Sequence, residues 1–366
     1  MNNRRRFVLA STAFFAVGAL PRAASPQSRA LQVPTVDSVA VRVLVDSSYD
    51  TPRAPASTIV KVRRSPFVSS ANWRKVLHNE WGLALAIESH ARGEARNLLL
   101  DYGYTPETLM GNMEVIGVDP TKAQALILSH GHFDHFGGLV DYLKANRSRL
   151  PADLTLYVGG EDNFCNRKTA SGAPGHFSDW GVLDRRELEA LKVKIVKCDE
   201  PTVILGHAFT TGRIARHSFE RVLPQTLVSY HKDGNGVGCD MPSEDAKANG
   251  QFVQDQHWNE HATCYNVKDR GLVVISSCGH AGIVNSVQTA IEVSGVKKVH
   301  AVMGGFHLFP APDDYVRQTV AELQKLGPDV IIPLHCSGPN MAEALRAMMP
   351  QQYLPSTTGT EFTFGA

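Results

Sequence analysis

Apolar and polar positions follow strand-like and helix-like periods along most of the chain. Segment 39–45 is rich in β-branched residues with partial alternation, which favours a first strand. The same reasoning predicts five further elements in the first half: a hairpin of strands over 84–89 and 96–103, a helix over 106–117, a strand over 125–130, a helix over 137–150 and a strand over 154–159.

The second half begins irregularly and ends in a repeated pattern. Residues 160–192 are polar, with one helix predicted near their end, and segments 192–198 and 202–206 are predicted to pair as strands. A hairpin is predicted over 263–278, and helices and strands then alternate to the end of the chain. Early strands followed by this alternation predict two sheets covered by helices.

The first 30 residues differ from the rest and predict a signal peptide. Arg4 and Arg5 precede an apolar run, residues 7–20, which is shorter than the roughly 20 residues that span a bilayer. Small residues follow, with candidate cleavage points near Ala24 and Ala30. The arginine pair with Phe7 is similar to a twin-arginine export signal, and an ordinary secretory signal is the alternative. We therefore expect a periplasmic or secreted protein with one domain over 37–366 and no membrane span after processing.

The net charge and the cysteine content bear on the partners and the disulfides of the protein. The formal net charge of +1 does not imply a nucleic-acid partner. Six cysteines in an exported chain invite a disulfide interpretation. Cys278 and Cys336 each stand beside a histidine, in SSCGH and PLHCSG, and are expected to belong to a site. The other four could pair in several ways, and the spacing does not choose between them.

Residues that can bind a metal are concentrated in the segment LILSHGHFDHFGGL, residues 126–139. His130, His132, Asp134 and His135 fall within six positions, between a predicted strand and a helix that begins with two glycines. Neutral imidazoles and a carboxylate are ligands for a borderline divalent cation such as zinc. Because His130 and His132 are two residues apart in extended chain, they can point at one ion, and the other two can face a second. The segment therefore predicts a metal site of one or two ions.

SHGHFDHFGGL resembles the signature of the metallo-β-lactamase fold superfamily. LLLDYG (98–103), GLVVISSCGHAGIVN (271–285) and IIPLHCSG (331–338) extend the resemblance over roughly residues 40–364. They resemble a branch that includes dihydropterin-linked ribofuranosyl-aminobenzene 5'-phosphate synthases. The resemblance implies an αββα sandwich with the metal site along one edge, where His280 and His335 also follow strand ends and are expected ligands.

The chain departs from the superfamily pattern at the strand GLVVISS. Members with two metals place a bridging aspartate after this strand, and here Cys278 follows it. Cys278 is expected either to bridge as a thiolate or to support the ligands, so a single ion is an open alternative. The third ligand of the first metal is His280 or His261, with His280 favoured. Asp101 is expected to hold a ligating histidine.

Three further residues are candidates with an alternative structural role. His307, in GGFHL, follows a strand at the expected edge and is either a substrate donor or structural. Arg216 and Glu220, in GRIARHSFE, are candidates for binding an anionic substrate, and solvated surface charge is their alternative.

These expectations combine into a function. The chain is expected to be an exported zinc-dependent hydrolase of a small ester, lactone or phosphoester, with iron and manganese as alternative metals. Asp134 would orient the attacking water or accept its proton, and His307 would stabilise the oxyanion. The partners are then a small-molecule substrate and the twin-arginine machinery. The alternatives are a transferase of the synthase type that the branch suggests, and a metal-binding or sensing protein without turnover.

Overall fold

The computed structural model describes residues 31–48, 55–241 and 250–365. The predicted leader, residues 1–30, lies outside the described residues, and the expected single domain over 37–366 stays a prediction. Within the described ranges, no helix is both long and apolar enough to cross a membrane.

Two large sheets form the centre of the molecule. The first sheet has eight strands, in the spatial order β10 (Lys194–Lys197), β7 (Thr155–Val158), β6 (Ala125–Leu128), β5 (Glu94–Leu100), β4 (Ala84–Ala91), β2 (Ser38–Val45), β19 (Thr360–Gly365) and β3 (Lys61–Arg64). The second sheet has the order β11 (Val203–Ile204), β12 (Ala208–Thr210), β15 (Thr263–Val267), β16 (Gly271–Ser276), β17 (Val299–Gly305) and β18 (Val330–Leu334), with β1 (Thr35–Val36) paired to β15.

The sheets pack face to face, and helices cover their outer faces. Val41 and Phe362 of the first sheet share one buried cluster with Val273 and Met303 of the second. Four helices share a buried cluster with strands of the first sheet: α1 (Pro106–Ile116), α2 (Phe133–Phe136), α3 (Leu139–Asn146) and α4 (Arg185–Ala190). Three pack on the second: α5 (Ile283–Ser294), α6 (Asp313–Leu326) and α7 (Gly338–Met348). The apolar face of each helix is thus buried against a sheet. The predicted αββα sandwich is confirmed.

Parallel pairing brings several strand ends to one edge of this sandwich. Strands β5, β6 and β7 are parallel neighbours in the first sheet. Strands β16, β17 and β18 are parallel neighbours in the second. Parallel neighbours end on the same side, so the residues after these strands are brought close to one another.

Local sequence explains where the first long helix begins and ends. The Thr105 hydroxyl accepts a hydrogen bond from the Thr108 backbone N–H, and Pro106 occupies the first turn. Gly117 ends the helix with a left-handed φ of 81°. The helix predicted over 137–150 is shorter, because the chain forms α2 before Gly137 and α3 only from Leu139.

Two predictions for the middle of the chain are wrong. Segments 192–198 and 202–206 do not pair with each other, because β10 pairs in parallel with β7 whereas β11 pairs with β12 of the other sheet. The region 160–192 is not irregular either. It contributes two strands to a small antiparallel sheet with the order β14 (Val253–Gln254), β13 (Thr226–Ser229), β8 (Asn166–Ala170) and β9 (Phe177–Asp179).

A disulfide joins Cys165, directly before β8, to Cys239, which is 74 residues further along the chain. It selects one pairing that the spacing left open. Cys198 and Cys264 are buried free thiols.

Asn112 connects α1 to the segment that carries Trp81. Its amide donates to the carbonyl oxygens of Leu44 and His78, both at 2.7 Å, and its oxygen accepts the His78 backbone N–H at 2.8 Å. The side chain is fully buried. The buried amide therefore satisfies three backbone groups at once, as expected for a structural residue.

We expect Asn112→Ala to lower the free energy of unfolding by about 1–3 kcal/mol, because these backbone groups would lose their partners. Denaturant unfolding of metal-free protein measures the change. The matched control is Asn235→Ala at an exposed position, for which we expect a change within about 0.5 kcal/mol. Equal unfolding midpoints for both variants would contradict this role.

Candidate metal centre

The loop after β6 supplies four of the predicted ligands. His130 lies in the bend after β6, and His132 is extended directly before α2, so Asp134 and His135 lie on the first turn of that helix. All four side chains are buried. The turn must pack tightly, since a Cβ on Gly137 would lie 2.1 Å from the Tyr104 carbonyl oxygen. A glycine is therefore needed at residue 137, where α2 ends.

Loops from the second sheet approach the same place. Cys278 and His280 follow β16, His307 follows β17, and His335 and Cys336 follow β18. His307 and His335 have positive φ angles of 49° and 48°. Such angles are uncommon for residues other than glycine, and they are found at functional sites where surrounding contacts impose them.

A first donor group contains His130, His132 and His280. One ring nitrogen of each lies within 4.8 Å of the others. The Nε2 atoms of His130 and His132 and both ring nitrogens of His280 are buried without a hydrogen-bond partner among the described residues. Buried polar atoms are rarely left unpaired, so three convergent free nitrogens fit a cation as their common partner.

A second donor group contains Asp134, His135 and His335. Asp134 Oδ2 lies 3.2 Å from His335 Nε2 and 3.7 Å from His135 Nε2. Each imidazole is held at its other nitrogen: His135 Nδ1 contacts Asp101 Oδ2 at 2.7 Å, and His335 Nδ1 contacts Ser47 Oγ at 3.0 Å. Ligating histidines in metalloproteins are oriented in this way. Asp101 thus contacts a candidate ligand at its second ring nitrogen, as the sequence predicted.

Cys278 lies between the two groups. Its sulfur is within 4.8 Å of donor nitrogens of both His130 and His135. The position therefore allows the thiolate to contact ions in either group, as the bridging hypothesis requires.

The site's electrostatics suit ligation. Burial lowers the pKa of His132 to about 4 and also lowers the pKa values of His130 and His280, so these imidazoles are neutral near pH 7. Burial alone would lower the pKa of His335 too, but the neighbouring Cys336 and Asp134 raise it to about 10. Neutral imidazoles and an ionised carboxylate are the forms that bind metals. The first group is therefore ready to bind, whereas His335 of the second group has to release its proton when a metal binds. The residues present thus fit divalent cations.

His261 does not join either donor group. Its Nε2 donates a hydrogen bond to the Leu128 carbonyl oxygen at 2.9 Å, on the neighbouring sheet. Of the two candidates for the third ligand of the first group, the structure therefore brings His280 to the site, and the His261 alternative is corrected.

The two substrate-binding candidates have structural contacts instead. Glu220 is buried and accepts the backbone N–H groups of Val284 and Asn285 at the start of α5, at 3.2 and 3.0 Å. The Arg216 guanidinium contacts the Gln256 carbonyl oxygen and lies over the Trp258 ring. The prediction for Glu220 is wrong, because its carboxylate is buried on these backbone groups. The prediction for the half-buried Arg216 stays a prediction.

Other residues of the site were missed in the sequence. Asp255 Oδ2 lies 3.8 Å from His132 Nε2 and 3.7 Å from His257 Nδ1, and Arg167 Nε donates to it at 2.6 Å. Glu260 accepts the backbone N–H of His280 at 3.0 Å. The run VQDQHWNE contains ligand-type residues, but only its fold onto the site reveals their use.

A pocket of ≈ 290 Å³ opens onto this centre. Among its lining residues are His132, Asp134, His307 and His335. Aromatic rings of Trp81, Trp180 and Phe309 form apolar parts of its wall. The donor groups are therefore accessible to a small molecule.

Comparison with known proteins agrees with this architecture. A family model described as Metallo-beta-lactamase superfamily matches residues 86–151. A relative from Methanocaldococcus jannaschii, the 7,8-dihydropterin-6-methyl-4-(beta-D-ribofuranosyl)-aminobenzene-5'-phosphate synthase, is 28% identical over 271 residues, 73% of this chain and 84% of the relative. A crystal structure described as a metal-dependent hydrolase of the beta-lactamase superfamily has a TM-score of 0.62 and 18% identity, covering 88% of this chain and 98% of that one.

Fold and donor groups together define a protein of the metallo-β-lactamase fold. The chain has this fold, and its residues 86–151 are similar to the metallo-β-lactamase superfamily. The predicted resemblance to this superfamily is confirmed, and the synthase relative supports the predicted branch.

We expect the double variant His130→Ala with His132→Ala to lose one metal ion per chain, because two of the three nitrogens of the first group are removed. Elemental analysis of the purified protein measures the metal content. His90→Ala, which removes an exposed histidine, is the control. Even supporting residues change metal affinity by about 10–100-fold, so full metal content in the double variant would refute this ligand assignment.

Proposed function

We propose that the protein is a metal-dependent hydrolase of a small ester, lactone or phosphoester, with zinc as its native metal. The observation that carries the proposal is the convergence of unpartnered buried imidazole nitrogens and the Asp134 carboxylate beneath an open pocket. Zinc bound to such ligands would supply an activated water and polarise the scissile carbonyl or phosphoryl group.

Two residues of the chain have assigned roles in this proposal. Asp134 Oδ1 is buried and has no partner among the described residues, whereas its Oδ2 faces the second group. That free oxygen suits the carboxylate for orienting the attacking water. His307 Nδ1 faces the Cys278 sulfur at 3.6 Å, which leaves Nε2 free. As a hydrogen-bond donor, Nε2 would stabilise negative charge that develops on the substrate oxygen.

The aromatic wall indicates which substrates fit. The Trp81 ring lies 5.1 Å from the Phe309 ring and 5.0 Å from the His335 ring, both measured between centroids. An apolar or aromatic part of the substrate placed against Trp81 would thus be adjacent to the second donor group. Aromatic pairs contribute about 0.5–1.5 kcal/mol beyond the area that they bury.

We expect the zinc-loaded protein to hydrolyse an aryl ester, a γ-lactone or an aryl phosphodiester. We expect Trp81→Ala to raise KM for the aryl substrate by roughly 2–10-fold with little change in kcat, since the lost contact acts on binding. Trp73→Ala is the matched control, because Trp73 is 72% exposed. Initial-rate kinetics measures both constants. Absence of turnover of all three substrates by zinc-loaded protein would refute the hydrolase proposal.

The second candidate function is a transferase, and the specific observation that favours it is the synthase relative. In the same assays a transferase would leave the three substrates intact. In a separate assay that supplies a ribosyl phosphate donor and an aminobenzene acceptor, it would form a ribofuranosyl-aminobenzene phosphate and release the donor's leaving group. A protein that binds metal and gives neither reaction would be a metal-binding or sensing protein.

We also propose that the chain is exported by the twin-arginine machinery and acts in the periplasm or outside the cell. The motivation is the arginine pair before the apolar run of residues 7–20. We expect Arg4→Lys with Arg5→Lys, which preserves charge, to accumulate precursor inside the cell. Fractionation followed by immunoblotting measures the distribution. Normal export of this variant would indicate the ordinary secretory route.

A further inference from the structure

Two cysteines and one histidine form a third group of donors beside the two histidine-rich groups. The Cys278 and Cys336 sulfurs are 3.1 Å apart, and the Cys278 sulfur is 3.6 Å from His307 Nδ1. All three donor atoms lie within 4.8 Å of one another. The side chains are 2%, 1% and 8% exposed, respectively, so water does not replace these contacts.

The surrounding backbone is shaped to accommodate the sulfurs. A Cβ on Gly305 would lie 2.9 Å from the Cys336 sulfur and 2.3 Å from the Ser277 carbonyl oxygen. A side chain at residue 305 would therefore displace the cysteine. The absence of a Cβ at this position keeps space for a sulfur at the end of β17.

Hydrogen bonds further fix the Cys336 residue against the backbone of His307 and Leu308. The backbone N–H of His307 points at the Cys336 sulfur at 3.3 Å, and the backbone N–H of Leu308 donates to the Cys336 carbonyl oxygen at 3.1 Å. An N–H directed at sulfur stabilises negative charge on it. The turns that follow β17 and β18 are thus joined through the residues of the third group.

We infer that Cys278, His307 and Cys336 form a binding site for a thiophilic cation, separate from the two histidine-rich groups. Soft thiolate sulfur with one imidazole selects zinc-like or softer ions over magnesium, calcium and manganese. All three residues also line the pocket, which gives a cation a path to them. The chemistry of the ligands identifies the class of ion, and the fourth coordination position remains for a molecule in the pocket.

The site differs from the two histidine-rich groups in two of its three ligands. Cys336 and His307 occur in neither histidine-rich group, and only Cys278 lies within reach of those groups. Cys336 is therefore the residue whose removal separates the third site from the other two.

Cobalt(II) replacement tests this inference without reference to turnover. Metal-free, reduced full-length protein is titrated with cobalt(II) under anaerobic conditions, and the spectrum is recorded. Cobalt bound to thiolate absorbs strongly in the near ultraviolet through charge transfer from sulfur, whereas cobalt bound only by imidazole and carboxylate does not. We expect this band in the wild-type protein, and we expect Cys336→Ser to lose the band and one ion per chain.

The control variant is Cys264→Ser, which changes a buried free cysteine outside all three groups and should keep both the band and the metal content. Loss of the band in Cys278→Ser together with its retention in Cys336→Ser would overturn the inference, because the thiolate would then belong only to the hydrolytic centre. A Cys278–Cys336 disulfide in protein isolated without reductant would overturn it as well.

A second measurement covers the case in which Cys336→Ser fails to fold. Wild-type protein, reduced, is alkylated with and without zinc, and labelling is located by mass spectrometry. Since the thiolate is both the nucleophile and the metal ligand, we expect zinc to slow the labelling of Cys336 at least tenfold. Equal labelling of Cys336 in both states would overturn the inference.

Discussion

The buried carboxylate of Asp101 orients both halves of the metal centre. Its Oδ2 accepts from His135 Nδ1 at 2.7 Å and from the Ser129 hydroxyl at 2.7 Å, and that hydroxyl also contacts His130 Nδ1 at 2.9 Å. One residue at the end of β5 therefore fixes a histidine of each donor group. A buried carboxylate is costly unless it is fully hydrogen-bonded, and here each partner is itself part of the site.

Buried charges are also paired with each other beside the small antiparallel sheet. Burial would raise the pKa of Asp255, but the Arg167 guanidinium beside it holds that pKa well below its usual range. Arg167 also pairs with Asp162 and donates to the Gly131 carbonyl oxygen at 3.2 Å, within the ligand loop. Arg167 of β8 thus connects the small sheet to the ligand loop, because its hydrogen bond holds the backbone between His130 and His132.

The residues that stabilise the fold are different from the residues that form the site. Apolar residues between the sheets and under the helices provide the core, whereas nearly every polar group of the site stands on a loop that follows a strand. Residues on these loops can be substituted without disturbing the core. This is one physical reason why a single fold hosts many reactions and why its function has to be argued from the site.

The sequence alone was informative where a signal is local. The pattern of apolar positions predicted the hairpin that became β4 and β5 and the helix that became α1. Four ligand-type residues within six positions predicted the metal loop. The motif resemblance also indicated the αββα sandwich. Each of these signals depends on neighbours in the chain, so it can be seen without the fold.

Tertiary structure decided what depends on long-range contacts. It brought His280 rather than His261 to the first donor group, and it paired Cys165 with Cys239 across 74 residues. It also placed Glu220 at the start of α5, away from any substrate role. A histidine, a cysteine or a glutamate has the same local signal whether it is a ligand, a bridge or a cap. Only the atoms that the fold sets against its side chain determine which of these it becomes.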